Sequence, residues 1–393
     1  MVRTTTRRAP VKSATQKKPK EKAQNNEAPE TKTTISISKS AVPARALTLI
    51  TGGTGFLGLH LVHQLINSGQ RNIRVLATST PSWLSDLLSD RRGVEVVEGS
   101  IISPEVVARA VAGVTNIYHL AGRVSHAKND AHALYDLHVK GTRILLEAAL
   151  AAGTRSIVVA STSGTMAVTE TGDVVPDESW PTPIDIIARW PYYSSKLYQE
   201  TAAIEIFREK AAKGTRLIIM NPSLLLGPGD DRLSSTRVVL DFLGRKIFSV
   251  PSGGLSFVDV RDVAIAFQAA MEQGSHGERY LLGAANWTFS EFFNRLSRLS
   301  KVAAPQIYLP RKLAIAGAGL IDSLFKQWDR VPPVKAVEIE MAEHFWYLNA
   351  SKATAELGFS PRDPHETLHH TVQYTKENFT NHSAWHGRLA RDS

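Results

Sequence analysis

The chain has 393 residues, of which 43% are hydrophobic and 21% charged, so it is long enough for one large core or two smaller ones. It contains no cysteine, which excludes a disulfide framework, thiolate catalysis and cysteine-based zinc sites. Of its net charge of +9, residues 1–45 supply +8, from eleven Lys/Arg against three Glu, so the basicity belongs to a tail and predicts no specific nucleic-acid partner.

That tail, residues 1–45, is rich in Thr, Lys, Ser, Pro and Gln and is predicted to be disordered, because it cannot bury enough apolar surface to offset the entropy of ordering. Three readings compete for it. Its first acid is Glu21, so the early part faintly resembles an organelle transit peptide; it could bind polyanions weakly; or it is a plain solvated extension.

From Leu47 the chain alternates strand and helix patterns. Strands are predicted at Leu47–Thr51, Ile73–Thr78, Val94–Glu98, Asn116–Leu120, Ser156–Ser161 and Arg216–Met220. Helices are predicted at Phe56–Ser68, Pro104–Val111, Ala131–Ala152 and Tyr192–Lys213, with Gly69 and Gly153 at C-caps. Such alternation predicts a parallel sheet covered by helices on both faces. After Pro222 the rhythm breaks into scattered helices (Leu233–Arg245, Asp262–Glu272, Phe289–Leu299, Val334–His344, Ala350–Leu357) and short strands (Ser256–Val260, Arg279–Leu282). This predicts an α/β core at residues 46–222, a smaller lobe over the sheet ends at 223–380, interleaved with the core, and a short tail at 381–393. No apolar run is long enough to span a bilayer. The longest, Leu313–Ile321, stops at Asp322 and predicts a buried or pocket-lining helix. A cytoplasmic location is expected, with organelle targeting by the tail left open.

The first motif is Thr51-Gly52-Gly53-Thr54-Gly55-Phe56-Leu57-Gly58, set between a strand and a helix. Glycines let the backbone turn tightly and approach phosphates, and the helix N-terminus offers free N–H groups, so the stretch predicts a dinucleotide cradle. The second is Tyr192-Tyr193-Ser194-Ser195-Lys196. Tyr192 and Lys196 are four apart and share a helix face. An ammonium beside a phenol favours the phenolate, which would lower the tyrosine pKa and make a usable acid or base. Tyr193 is three from Lys196, so spacing alone does not choose between the tyrosines. Ser161-Thr162-Ser163 closes the fifth strand, where hydroxyls face the site in this architecture.

Six motifs in order carry a resemblance: Thr51–Gly58, His119-Leu120-Ala121-Gly122, Ser161-Thr162-Ser163, Tyr192–Lys196, Asn221-Pro222-Ser223 with Gly227-Pro228-Gly229, and Phe257-Val258-Asp259-Val260-Arg261-Asp262. From about Leu47 to Pro361 the chain resembles an extended short-chain dehydrogenase/reductase, in the branch of dihydroflavonol reductases and 3β-hydroxysteroid dehydrogenases. The resemblance implies a Rossmann-type doubly wound α/β fold with a smaller, mainly helical substrate lobe, and a homodimer built through the helices holding Ala131–Ala152 and Tyr192–Lys213. It implies Ser163, Tyr192 and Lys196 as the catalytic triad, with Lys196 also on the nicotinamide ribose. It places the cofactor on Gly52, Thr54, Gly55, Phe56, Leu57 and Gly58, on Thr78 and Ser79, on Ser100 and Ile101, on Ala121 and Gly122, and on Pro222 and Ser223. Two positions depart from the pattern. The family usually has Asn where this chain has His138, and many members carry an acid near Gly99-Ser100.

The second strand ends Leu76-Ala77-Thr78-Ser79-Thr80, without the acid that accepts from an NAD ribose, so NADP(H) is favoured over NAD(H). Thr78 and Ser79 could donate to a 2′-phosphate; the arginine expected there is missing, although Arg91 or Arg92 could approach. No cation precedes Phe257 to hold a nucleotide-sugar diphosphate, and Leu224-Leu225-Leu226 is apolar. The expected function is therefore reduction of a ketone, or oxidation of a secondary alcohol, on a small, fairly apolar substrate. A nucleotide-sugar epimerase or dehydratase, and a non-catalytic NADP-binding scaffold, are the alternatives. His126 and Thr165 are candidate substrate contacts, and Trp180 and Trp190 either wall the pocket or pack. Trp83 falls in a loop-like stretch, and His369-His370 reads as exposed rather than metal-binding.

Overall fold

A computed structural model describes residues 46–89, 93–310, 313–317, 319 and 336–380. Both predicted tails, Arg91, Arg92 and the end of the Leu313–Ile321 run lie outside the described residues. Six strands come first: β1 (Thr48–Thr51), β2 (Ile73–Ala77), β3 (Val94–Glu98), β4 (Asn116–His119), β5 (Ser156–Ala160) and β6 (Arg216–Pro222). Between them run α1 (Phe56–Asn67), α2 (Ser82–Ser89), α3 (Pro104–Val111), α4 (Ala131–Tyr135), α5 (Gly141–Ala151), α6 (Ile184–Ile187) and α7 (Pro191–Lys210). The later chain adds β7 (Leu224–Leu226), α8 (Arg237–Leu243), β8 (Ser249–Val250), β9 (Gly254–Asp259), α9 (Val260–Gln273), β10 (Arg279–Leu282), β11 (Ala285–Thr288), α10 (Phe289–Ser300) and β12 (Ile307–Tyr308).

Seven strands form one sheet in the order β10-β6-β5-β4-β1-β2-β3, and every neighbouring pair is parallel. The order reverses between β1 and β4, the switch point at which such sheets open a crevice at their carboxyl edge. Alternate strand residues point to opposite faces, and both faces are covered, so the strands read as continuous apolar runs. Ile50, Val75, Val158 and Ile218 pack against Leu61 and Leu65 of α1 and Val263 and Phe267 of α9. Leu49, Ile117, Ile157 and Leu217 pack against Val107, Leu145 and Ile206 on the other side. Each such buried side chain contributes roughly 1.5–3 kcal/mol.

Several elements differ from expectation, among them the later helices predicted at Leu233–Arg245 and Val334–His344, which are described over Arg237–Leu243 and Ala336–Ala342. Trp83 stands on α2 rather than in a loop, because Pro81 opens the helix: its carbonyl accepts from the N–H groups of Leu84 and Ser85. The helix predicted over Ala131–Ala152 is interrupted by a π-helical turn at Asp136–Lys140. The helix predicted from Tyr192 starts one residue earlier, with Pro191 in its first turn, and ends at Lys210.

The later chain returns to the large sheet through β10, which pairs with β6 at its edge. The outer side of β10 is not left open. The N–H of Leu281 donates to the Glu178 carboxylate at 2.7 Å. A second sheet, β11-β9-β7, lies beyond β6, and α9 follows β9 directly, capped by the Asp259 side chain. The Asp262 carboxylate accepts from the N–H and guanidinium of Arg362, fastening the segment that leads into the last long helix, Pro364–Thr375.

Candidate active site

The strand order brings together turns that are far apart in sequence. The Gly52–Gly58 turn follows β1, Thr78 and Ser79 follow β2, and Ser100 and Ile101 follow β3. Ala121 and Gly122 follow β4, Ser163 follows β5, and Pro222 and Ser223 lie at the end of β6. All stand at the carboxyl edge of adjacent parallel strands.

The glycine turn needs its glycines. Gly52 has φ +70°, and a Cβ there would lie 2.7 Å from the backbone nitrogen of Ala121. A Cβ on Gly58 would lie 2.3 Å from the carbonyl oxygen of Gly52. Helix α1 starts with Gly55 at its N-cap, without a side-chain cap and without an acid in its first turn. Its first N–H groups are therefore free to accept an anion, as a pyrophosphate requires. These features fit a dinucleotide. Thr78 and Ser79 are exposed at the end of β2, whereas Ile101 is buried beneath Gly141.

Lys196 is buried, and its Nζ donates to the carbonyl oxygen of Ala160 at 3.0 Å and to the Gln199 side-chain oxygen at 2.9 Å. Burial pulls its pKa down to about 8, opposed by the nearby Glu200. Tyr192, one turn earlier on α7, is raised to about 12 by burial, with a hydrogen bond to Thr162 pulling the other way. The expected lowering of the phenol by Lys196 is therefore not what this arrangement produces. The ammonium is engaged by Ala160 and Gln199, and desolvation of the phenol dominates.

The turn after β5 is organised by a buried carboxylate. Glu200 Oε1 accepts from the hydroxyls of Ser161 and Thr165 (2.8 Å to Thr165) and from the Asn221 side-chain amide at 2.8 Å. Arg279 stands 3.5 Å from its other oxygen. Charge-assisted bonds of this kind offset the cost of burying the carboxylate. They also fix the short 3-10 turn Ser163–Thr165, in which Ser163 is buried and Thr162 caps the N–H of Gly164. Thr165 is wholly buried and its hydroxyl is committed to Glu200 and the Thr162 carbonyl, so it sits behind the turn rather than on the cleft.

Two buried histidines lie under Lys196. His119, the last residue of β4, lies 2.8 Å from the Thr51 hydroxyl through Nδ1 and 2.8 Å from the Thr142 hydroxyl through Nε2. Thr142 gives its own proton to the His138 carbonyl, so it accepts from His119 and from the Gln199 amide. His119 is accordingly neutral with its proton on Nε2, and burial, with Lys196 adding, lowers its pKa to about 3. A continuous line of hydrogen bonds thus runs from Thr51 beside the glycine turn through His119, Thr142 and Gln199 to Lys196. His138 lies in the π-helical turn, fully buried, with its ring edge-on to Tyr192 at 5.9 Å between centroids.

The other side of the cleft is aromatic. The Tyr193 ring packs on Trp346 at 4.9 Å and on Trp190 at 5.9 Å, and Trp190 stacks on Trp346 at 5.5 Å. Gly164 lies directly beneath: a Cβ there would be 2.2 Å from the Tyr193 ring. The two tyrosines that spacing left open are thus separated, Tyr192 facing Thr162 and His138, and Tyr193 facing the tryptophans. Trp190 is buried and packs, while Trp180 is exposed. His126, in the coil after β4, places Nδ1 4.0 Å from Glu338 of the helix Ala336–Ala342.

Gln199 and Glu200 escape a motif search, although their spacing of three and four from Lys196 puts them on its helix face. Trp346 has no local signal at all. Only the tertiary fold brings it over Tyr193.

Fold and site together define a nicotinamide-dinucleotide enzyme of the oxidoreductase and epimerase type, acting on alcohol or ketone groups. Residues 48–283 match the NAD dependent epimerase/dehydratase family, and the chain belongs to it. It is 30% identical over 339 residues to a Synechocystis sp. protein provisionally named dihydroflavonol 4-reductase, covering 85% of this chain and 94% of that one. It is 29% identical over 337 residues to sterol demethylase protein B of Methylococcus capsulatus, covering 84% of this chain and 98% of that one. Among solved structures, the crystal structure of gox2253 superposes with a TM-score of 0.72 at 26% identity, covering 86% of this chain and 99% of that one. Among the described residues, no helix is long and apolar enough to cross a membrane.

Proposed function

We propose that the protein is an NADP-dependent reductase that converts a ketone on a small, fairly apolar substrate to a secondary alcohol. The observation that carries this reading is a protonated phenol, Tyr192, one helical turn from a buried ammonium, Lys196, on α7, with the ammonium seated on the last residue of β5. Tyr192, raised to about 12, holds its proton at neutral pH and is a donor rather than a base. A nicotinamide held there would supply the hydride. Ser163 and Thr162 orient the carbonyl oxygen, Tyr192 delivers the proton to it, and Lys196, seated on Ala160 and Gln199, holds the ribose side.

The substrate reading is supported by the aromatic wall of Tyr193 and Trp346, backed by the buried Trp190, which suits a flat apolar ring system. The names of the two relatives, one for a dihydroflavonol and one for a sterol, point to ring systems of that kind. The cofactor preference is supported by the exposed Thr78 and Ser79 at the end of β2, in a stretch, Leu76–Thr80, that itself carries no carboxylate to repel a 2′-phosphate. A homodimer through the helices holding Ala131–Ala152 and through α7 is supported by the exposed Tyr135 at the end of α4 and Tyr198 on α7.

The test is a titration with NADPH and NADH, followed by turnover across ketones of graded size. Tighter binding of NADPH and loss of turnover in Tyr192→Phe are expected. NADH binding appreciably tighter than NADPH sinks the cofactor assignment. Turnover of a nucleotide sugar, with none on any ketone, favours the epimerase reading, and no turnover at all favours a scaffold.

A further inference from the structure

His138 stands where the resemblance expects asparagine, and its hydrogen bonds admit one arrangement of protons. The backbone N–H of Arg123 donates to Nε2 at 3.1 Å, so Nε2 carries no hydrogen. Nδ1 lies 2.8 Å from the Ser195 hydroxyl, which spends its own proton on the Tyr192 carbonyl oxygen at 2.7 Å. Nδ1 must therefore carry the ring proton and donate it to Ser195. A single neutral ring thus ties the loop after β4 to the first turn of α7.

Three further observations bear on what this tie does. The ring comes from a π-helical turn, a feature that costs helix regularity and is concentrated at functional sites. A Cβ on Gly122 would lie 3.1 Å from His138 Nε2 and 3.4 Å from Lys196 Nζ, so ring, loop backbone and ammonium share one close-packed space. The charged groups facing the ring, Lys196 and Arg123, are both cations, and His119 beside it is neutral; together with burial they hold the ring deprotonated. An asparagine on the same backbone is shorter by most of a ring and could not reach both Arg123 and Ser195.

We propose that His138 is a positioning residue, which pins the Gly122–Arg123 loop to the Tyr192 end of α7 and so sets the distance between the bound dinucleotide and the phenol. It acts through a fixed neutral ring and carries no proton of the reaction. The assignment rests on the reading of Tyr192 and Lys196 given above, but its proton arrangement is testable without it.

The experiment uses the full-length protein labelled with nitrogen-15 at histidine. The signal lost in His138→Gln is expected to show a protonated Nδ1 and a bare Nε2, unchanged from about pH 5.5 to 9. NADPH titration by fluorescence is expected to show affinity weakened roughly ten-fold in His138→Leu and restored to within about three-fold in His138→Gln, which keeps a donor and an acceptor. A ring that titrates in that range, or carries its proton on Nε2, overturns the proposal. So does a His138→Leu protein that binds NADPH as the wild type does while losing only thermal stability. If the wild type binds no NADPH, the reading of the site fails, and the proton position on the ring alone decides whether the pin exists.

Discussion

The Nζ of Lys196 donates to the carbonyl oxygen of Ala160, so the helix that carries the Tyr/Lys pair is tied to the last residue of the strand beside it. The seat is made for an ammonium, with Gln199 as the second acceptor. Replacing Lys196 by Met should lower kcat/KM about 100-fold or more, and Arg should not rescue it, because a planar fork cannot occupy a point-charge seat. Steady-state kinetics on the best ketone found would check this.

The same lysine makes stability depend on pH. Its folded value of about 8 lies below the 10.5 of an exposed lysine, so between these two the unfolded chain binds more protons. Stability therefore rises with pH through that window, and below it the burial penalty is felt in full. Urea midpoints at intervals from neutral to alkaline pH should show a rise that Lys196→Met flattens. An equal rise in the variant would assign it to another group.

His119 and His138 work in the acid range. Their values of about 3 and about 2 lie below the usual 6.5, so as pH falls through that gap the unfolded chain takes up protons that the folded one refuses. Stability should be lost on acidification below 6.5, by up to about 1.4 kcal/mol per pH unit for each ring. Changing His119 to Gln should remove about half of this slope in denaturant titrations. A slope unaltered in both His119→Gln and His138→Gln would place the acid sensitivity elsewhere.

Gly58→Ala tests the cradle. The new Cβ would press on the Gly52 carbonyl, backbone against backbone, and the turn must open to admit it. We expect NADPH affinity to fall at least about ten-fold, with a stability loss of roughly 1–3 kcal/mol. Normal titration by NADPH would show that the turn does not hold the pyrophosphate.

Glu200→Leu should strand the hydroxyls of Ser161 and Thr165, the Asn221 amide and the Arg279 guanidinium. A loss of about 3 kcal/mol is expected, with Glu200→Gln intermediate, because the amide still accepts. Calorimetry on the three proteins would rank them, and a leucine variant as stable as wild type would remove Glu200 from the turn.

The six strands β1 to β6 are legible because a sheet buried on both faces writes itself as runs such as Leu49-Ile50 and Ile157-Val158-Val159. β8 and β12 are two residues each and their pairing is set by the fold, so nothing local marks them. The glycine turn and the Tyr192/Lys196 spacing are legible for the same reason in reverse: each is a chemical device confined to a few consecutive residues. The phenol's high pKa is not legible, because it depends on who else claims the ammonium, and Ala160 is 36 residues away. Trp346 over Tyr193, and the π-helical turn that delivers His138, likewise depend on packing across the chain.

Glu178 has a consequence beyond the site. A parallel sheet of seven strands ends in two rims of unpaired amides, each able to template a strand from another molecule. On the β10 rim the Glu178 carboxylate occupies the N–H of Leu281, and Asn349 donates to the Pro176 carbonyl alongside. On the β3 rim Glu95 and Glu98 are both exposed, on opposite faces of the strand, and Glu95 pairs with Arg74 of β2. A carboxylate occupies one amide of the β10 rim and charged side chains flank the β3 rim, and both disfavour growth of the sheet by strand addition.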